Sequence, residues 1–200
     1  YCAMKTILER NVSRVIRDKS EFIGILIHVN SIDSVNQYLK DIKKQYPKAK
    51  HYCYAYHIDD KKTCSDAGEP SKTAGRPLME LIERKELDEV LLVVVRYFGG
   101  ILLGASRLMS TYLEAGVSVV DSADILEIED RYVYEATFSY KDFDILKRLS
   151  KTEGFDLDNV VYEDTIKVDI LVNEELGSKL VEWFPLTSFE VQGTRRIYRR

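Results

Sequence analysis

Cysteine is scarce in this chain. Cys2, Cys53 and Cys64 make an odd three, too few to staple a small secreted fold and in keeping with a reduced, cytoplasmic protein. Four Pro and ten Gly leave no room for a collagen-like repeat or a low-complexity linker. No run of eighteen apolar residues occurs, so no membrane-spanning helix is expected. Charge of one sign is lacking too: a net charge of −4 does not announce a nucleic-acid binder. One Trp stands against thirteen Tyr, an aromatic set that suits half-polar surfaces as well as cores.

What is present is a 200-residue chain, 45% hydrophobic and 31% charged, long enough for one large domain or two small ones. Residues 1–127 hold eighteen basic and eighteen acidic side chains, whereas 128–200 hold eleven and fifteen, so the acidity belongs to the second part. The start turns charged at once (Met4-Lys5-Thr6-Ile7-Leu8-Glu9-Arg10), which argues against a signal peptide. Tyr1, Cys2 and Ala3 are expected to precede the natural start at Met4 and to carry no function.

Periodicity lays out the elements. Glu21–Val29 is a β-branched, apolar run and reads as a strand. Ser31 or Asp33 can cap a helix carrying Ile32, Val35, Leu39 and Ile42, ending before Pro47. His51–Ile58 alternates as a second strand, and 59–75 reads as a polar loop. A short helix follows over Arg76–Lys85, with Pro77 in its first turn. Val90–Phe98, the most hydrophobic strand, is expected at the centre of the sheet. Gly99-Gly100 break it before a helix over Ser106–Val120. From near Ile128 the pattern restarts as strand, helix (Asp142–Thr152, ended by Gly154), one or two strands in Val160–Val172, helix (Glu174–Phe184) and strand (Phe189–Tyr198). That order is the ferredoxin-like split βαβ. Two domains are therefore expected, 1–125 and 126–200, with no Pro/Gly linker between them.

Two segments put Gly beside charge between elements. Ser65-Asp66-Ala67-Gly68-Glu69-Pro70-Ser71-Lys72-Thr73-Ala74-Gly75-Arg76-Pro77 brings carboxylates, hydroxyls, cations and a helix N-terminus together, a setting suited to phosphate or carboxylate. Arg96-Tyr97-Phe98-Gly99-Gly100-Ile101-Leu102-Leu103-Gly104-Ala105-Ser106-Arg107 repeats the theme as strand, Gly turn and helix start. It matches neither the dinucleotide fingerprint nor the Walker loop. The candidate anion- or nucleic-acid-binding residues are Lys72, Thr73, Arg76, Arg96, Gly99, Gly100 and Arg107, while His51, Asp66 and Glu69 serve the loop or a ligand. Because strands in an α/β layer deliver their ends to one rim, Lys72, Arg76, Arg96 and Arg107 are expected to converge on one pocket. The alternative is that Arg96 and Arg76 pair with Asp66 and Glu69 and merely lock the loop.

Other groups rank lower. His51, Cys53 and His57 share one side of a strand, but a structural zinc site wants four ligands with paired cysteines, so no metal is expected. Tyr52, Tyr54 and Tyr56 line the other side, either as a base-stacking platform or, the favoured reading, packed under helices. Cys64 has no His beside it, and the adjacent Asp66 should raise its pKa. Arg195, Arg196, Arg199 and Arg200 read as a solvated edge strand, or as an Arg row facing RNA phosphates or the acidic pair Glu174-Glu175.

Taken together, HYCYAYHI, SDAGEPSKTAGRP and VVVRYFGGILLGASRL resemble the signature of the IMPACT/YigZ family, over nearly the whole chain. The resemblance implies an α+β protein. Its N-terminal domain would fold like the second domain of a small-subunit ribosomal protein and like RNase PH. Its ferredoxin-like C-terminal domain would resemble the fifth domain of elongation factor G. Eukaryotic relatives regulate translation, and nucleic-acid binding is the usual proposal for bacterial ones. The chain departs from the family pattern at Ala67 (usually Asp or Asn), Lys72 (usually Gly), Leu102 (usually Lys), Ser106-Arg107 (usually a Gly pair) and Ser110 (usually Arg). Loss of the second acidic residue weakens any site built on paired carboxylates, and Arg107 can stand one helical turn from the missing Arg.

The functional expectation is a non-catalytic, translation-linked regulator that binds RNA, the ribosome or a translation factor through an anion pocket, without a cofactor. The alternatives are a phosphoester-acting enzyme using Asp66 and Glu69, and a pure protein-interaction module. Two further expectations concern the partners: phosphate-like anions are taken, and no membrane is bound.

Overall fold

The most apolar stretch lies where its composition requires. Val90–Tyr97 is the middle strand of a five-stranded sheet, and all but its last residue are buried. The computed structural model describes residues 4–200, so the expectation for Tyr1, Cys2 and Ala3 lies outside the described residues. The chain divides into two units, one running to Glu127 and taking in Arg200, the other Ile128–Arg199.

The first unit runs β1 (Lys5–Thr6), β2 (Asn11–Arg17), β3 (Ser20–His28), α1 (Ile32–Gln45), β4 (His51–Ile58), β5 (Lys61–Ser65), α2 (Gly75–Arg84), β6 (Val90–Tyr97) and α3 (Ala105–Asp121). Its sheet order is β2-β3-β6-β4-β5, with every neighbouring pair antiparallel. Both faces are covered. Phe22, Leu26, Cys53, Ala55, Leu92 and Val94 pack with α2 and α3. Ile23, Ile25, Ile27, Leu91, Val93 and Val95 pack on the other face with Val35 and Ile42 of α1 and with Tyr52, Tyr54 and Tyr56. The tyrosines thus lie half-buried under a helix, as favoured. Ser31 caps α1 by accepting the Ser34 N–H.

Two strands depart from the sequence reading. Part of the expected 59–75 loop is β5, which pairs back onto β4 through the two-residue turn Asp59-Asp60. Its sequence, Lys-Lys-Thr-Cys-Ser, is nearly all exposed and carries no apolar alternation to announce it. β2 was likewise unmarked, because Ser13, Arg14 and Arg17 dilute its apolar residues.

The second unit continues from β7 (Leu126–Phe138) through α4 (Tyr140–Glu153), β8 (Asp156–Tyr162), β9 (Ile166–Val172), α5 (Glu174–Trp183) and β10 (Glu190–Arg199). Its sheet order is β10-β7-β9-β8. Phe138, Phe143, Leu146, Val168, Ile170 and Leu180 form its core. Gly154 closes α4 at φ 80, the left-handed cap where glycine is favoured. The terminal arginines face carboxylates of neighbouring strands and loops: Arg195 on Asp158 at 2.6 Å, Arg196 on Asp130 at 3.0 Å, Arg199 on Asp156, and Arg200 on Asp124 at 2.8 Å. These four pairs draw their carboxylates from β8, from β7 and, for Arg200, from Asp124 before β7, and none of the four uses the expected Glu174 or Glu175.

Candidate functional site

Antiparallel register places the site. Arg96, near the end of β6, lies opposite Phe22 near the start of β3 and opposite His51 at the start of β4. The loop after β5 and the loop after β6 leave the sheet at this same rim.

The first loop, 66–74, is organised by one carboxylate. Asp66 Oδ2 accepts the Lys72 N–H at 2.9 Å, and Oδ1 accepts those of Ala74 and Gly75 at 3.1 and 2.9 Å. Burial alone would raise the Asp66 pKa, but the three N–H donors outweigh it and hold the carboxyl below its ordinary value. The Ala74 side chain caps nothing, so Asp66 occupies the start of α2 in its place. Ala67 and Lys72 both have positive φ, 46° and 65°. The Asp, Asn or Gly of the family pattern is what left-handed backbone favours at these two positions. Both departures are therefore conformational before they are chemical.

Glu69 ties the first loop to β6 and α3. Its Oε1 takes the Arg96 Nη1–H at 2.6 Å and the Tyr112 hydroxyl at 2.7 Å, and both carboxylate and guanidinium are buried. His51 Nδ1 donates to the Ala67 carbonyl at 2.8 Å and leaves Nε2 facing Glu69 at 3.6 Å. Cys53 Sγ lies 3.2 Å from the Asp66 carbonyl and 3.4 Å from the Tyr112 oxygen. Burial pushes the Cys53 thiol up to about 12, so it is no thiolate at neutral pH. Burial, and after it Asp66, also raises the Cys64 thiol. The Tyr112 hydroxyl is raised by burial and then by Cys53. The Arg96 guanidinium sits over the rings of Phe22 and Phe98 at 5.5 and 5.6 Å, and its Nε is buried without an acceptor.

Above this network opens a cavity of about 430 Å³. Lys50, His51, Glu69, Arg96 and Phe98 line it, with Leu102–Ala105 along one wall. Here the second loop delivers α3. Gly104, at φ 81, precedes the helix, no side chain caps it, and its first turn holds no acidic residue. Gly99 is required by contact: a Cβ there would stand 2.1 Å from the Lys19 carbonyl carbon. Gly100 supplies a φ of 89°.

The four expected cations do not meet in this cavity. Arg96 lines it, bound to Glu69. Lys72 and Arg76 border a separate hollow with Glu80 and Met109, and Arg76 pairs with Glu80 at 3.1 Å. Thr73 is buried and donates to the Pro70 carbonyl at 2.6 Å. Arg107 pairs with Asp18 at 2.5 Å. The loop-locking alternative describes Arg96 with Glu69 but not Arg76. Sequence reasoning missed Lys50, Phe98 and Tyr112. It also missed the five exposed lysines Lys40, Lys43, Lys44, Lys48 and Lys50 in eleven residues, a local signal hidden by the balanced charge of residues 1–127. Among the described residues no cluster of three or more His, Cys, Asp or Glu could hold a metal ion, and no helix is long and apolar enough to cross a membrane.

Comparison with known proteins adds four findings. The Impact N-terminal domain profile matches residues 18–120. The chain is 30% identical to IMPACT family member YvyE of Bacillus subtilis over 184 residues, 89% of this chain and 83% of that one. It is 36% identical to IMPACT family member YigZ of Escherichia coli over 99 residues, 47% of this chain and 48% of that one. A solved hypothetical protein shares its fold at a TM-score of 0.62 and 22% identity, covering 94% of this chain and 96% of the other.

Proposed function

The chain belongs to the IMPACT family, and we propose that within it this protein is a non-catalytic, translation-linked regulator that grips an anionic group of RNA, the ribosome or a translation factor. In this reading 1–125 is a domain like the second domain of a small-subunit ribosomal protein, and 126–200 a ferredoxin-like one. The order β10-β7-β9-β8 supports the latter.

One observation carries the binding role. The start of α3 is uncapped and opens on a cavity that also presents Lys50, His51 and Arg96, whereas the start of α2 is filled by Asp66. Free N–H donors at a helix start attract an anion, and the Lys50 ammonium on the cavity wall reinforces them. A hydrolytic role would need Asp66 and Glu69 free to act. Asp66 is spent on three backbone donors, and Glu69 on Arg96 and Tyr112. The Cys53 and Cys64 thiols are both pushed up, away from thiolate.

Ala105→Asp tests the proposal by placing a carboxylate at the α3 start, as Asp66 does at α2. Short-chain polyphosphate should raise the thermal midpoint of the wild type, by about 2.7 kcal/mol of stability at a hundred times its Kd. The variant should fold and show no such rise. An equal rise in both proteins, or none in the wild type, would overturn the reading.

A further inference from the structure

The cavity does not stand alone. Lys50 and His51 also border a neighbouring hollow of about 370 Å³, lined further by Lys43, Tyr52 and Tyr54. Each hollow holds at least one phenyl or phenol ring beside a cation: Phe98 in the first, Tyr52 and Tyr54 in the second. In the first, Phe98 lies against the Arg96 guanidinium while the residue as a whole remains 44% exposed. In the second, the Lys43 ammonium lies 5.8 Å from the Tyr52 ring centre, and Tyr54 stacks on Tyr56. The exposed lysines at 40, 43, 44, 48 and 50 belong to the end of α1 and the turn that leads into β4, and Lys43 and Lys50 line the second hollow; among the described residues none of the five has an ion-pair partner. Their charge therefore stays available to a partner, although the chain as a whole is acidic.

We propose that a single-stranded RNA crosses this surface, laying its backbone along the lysines between 40 and 50. One unstacked base enters the cavity against Phe98 and a neighbouring base enters the hollow beside Tyr54. The proposal rests on the anion-binding reading of the same cavity and names its ligand. Three features favour a strand over other anions. A phosphate run matches a run of unpaired lysines, because each neutralised phosphate releases counterions. Aromatic rings in two adjoining hollows offer stacking to successive bases, worth about 1–3 kcal/mol per base. The lining of the cavity is rich in Phe98, Leu102, Leu103 and Leu108, which suits a base and does nothing for a bare phosphate. A duplex keeps its bases stacked inside and cannot fill the hollows.

Fluorescence anisotropy with a labelled ten-nucleotide uridine strand tests this on the full chain, set beside a ten-base-pair RNA duplex and a ten-residue glutamate peptide. The strand should bind at least tenfold more tightly than the duplex, and the peptide should not displace it at equal concentration. The combined variant Lys43→Ala, Lys44→Ala and Lys48→Ala leaves every cavity residue in place. It should weaken the strand and flatten the slope of log affinity against log salt by about 2, at roughly 0.7 per lost phosphate contact. Its stabilisation by polyphosphate through the cavity should persist. Phe98→Ala should weaken the strand without changing that slope. Equal binding of strand and duplex, displacement by the peptide, or an unchanged slope in the triple variant would overturn the path. Failure of polyphosphate to stabilise the wild type would instead overturn the cavity reading beneath it.

Discussion

Two loops of the first unit deliver a helix start to the same rim, and they treat it in opposite ways. The loop before α2 fills its own helix start, because Asp66 accepts the N–H groups of Ala74 and Gly75. The loop before α3 leaves Ala105, Ser106 and Arg107 uncapped beside a cavity. Both loops are Gly-bearing and both lead to a helix whose first turn carries an arginine, Arg76 or Arg107, so composition alone ranks them equally. What separates them is one carboxylate, placed eight and nine residues ahead of the amides it caps. A helix start answered from within is structure, and one left open beside Lys50 and Arg96 is a place for a ligand.

The sharpest way to break the contrast is to cut the tie that Glu69 makes from the first loop to β6 and α3. Glu69→Ala leaves the buried Arg96 guanidinium without its carboxylate, a change that costs about 3–5 kcal/mol for a buried pair. Chemical denaturation should find that loss, and the anion response should disappear with the ordered cavity. Next in size is Asp66→Ala, which uncaps α2 and should cost about 1–2 kcal/mol at neutral pH. The folded carboxyl titrates below its ordinary value of 3.8. Its contribution is therefore full above about pH 4 and is lost as acid protonates it in the fold. Melting curves of wild type and variant should converge as the pH falls from about 5 to 2. A constant gap would mean that the carboxylate does not cap the helix. Smallest is Lys72→Gly, which relieves a left-handed backbone position and should stabilise by up to about 1 kcal/mol. Because Lys72 borders a different hollow, polyphosphate affinity should not change. A fall in affinity would return Lys72 to the site.

Most elements of the first unit were legible because their signals are local. The Ser31 cap, the spacing of Val35 and Ile42, and the unbroken apolar run of β6 each specify an element without help from elsewhere. β5 was not, since an exposed strand held by pairing to β4 needs no apolar pattern of its own. The site was legible in its residues and less so in its pairings. Arg96 and Glu69 stood out, yet nothing local says that Glu69 reaches across 27 residues to Arg96, or that Tyr112 joins them from the third turn of α3. The expectation of four converging cations rested on strand ends meeting at one rim, which places backbones and not side chains. Side-chain direction sent Arg76 along its own helix to Glu80 and Arg107 to Asp18.

The central claim, that the α3 start is open to an anion and the α2 start is closed, is tested most directly by titrating the isotope-labelled protein with inorganic phosphate and following backbone amide resonances. The account predicts saturable shifts at Ala105, Ser106 and Arg107 together with Arg96, and none at Lys72, Ala74 and Gly75. Shifts of equal size at both helix starts, or at the α2 start alone, would contradict it.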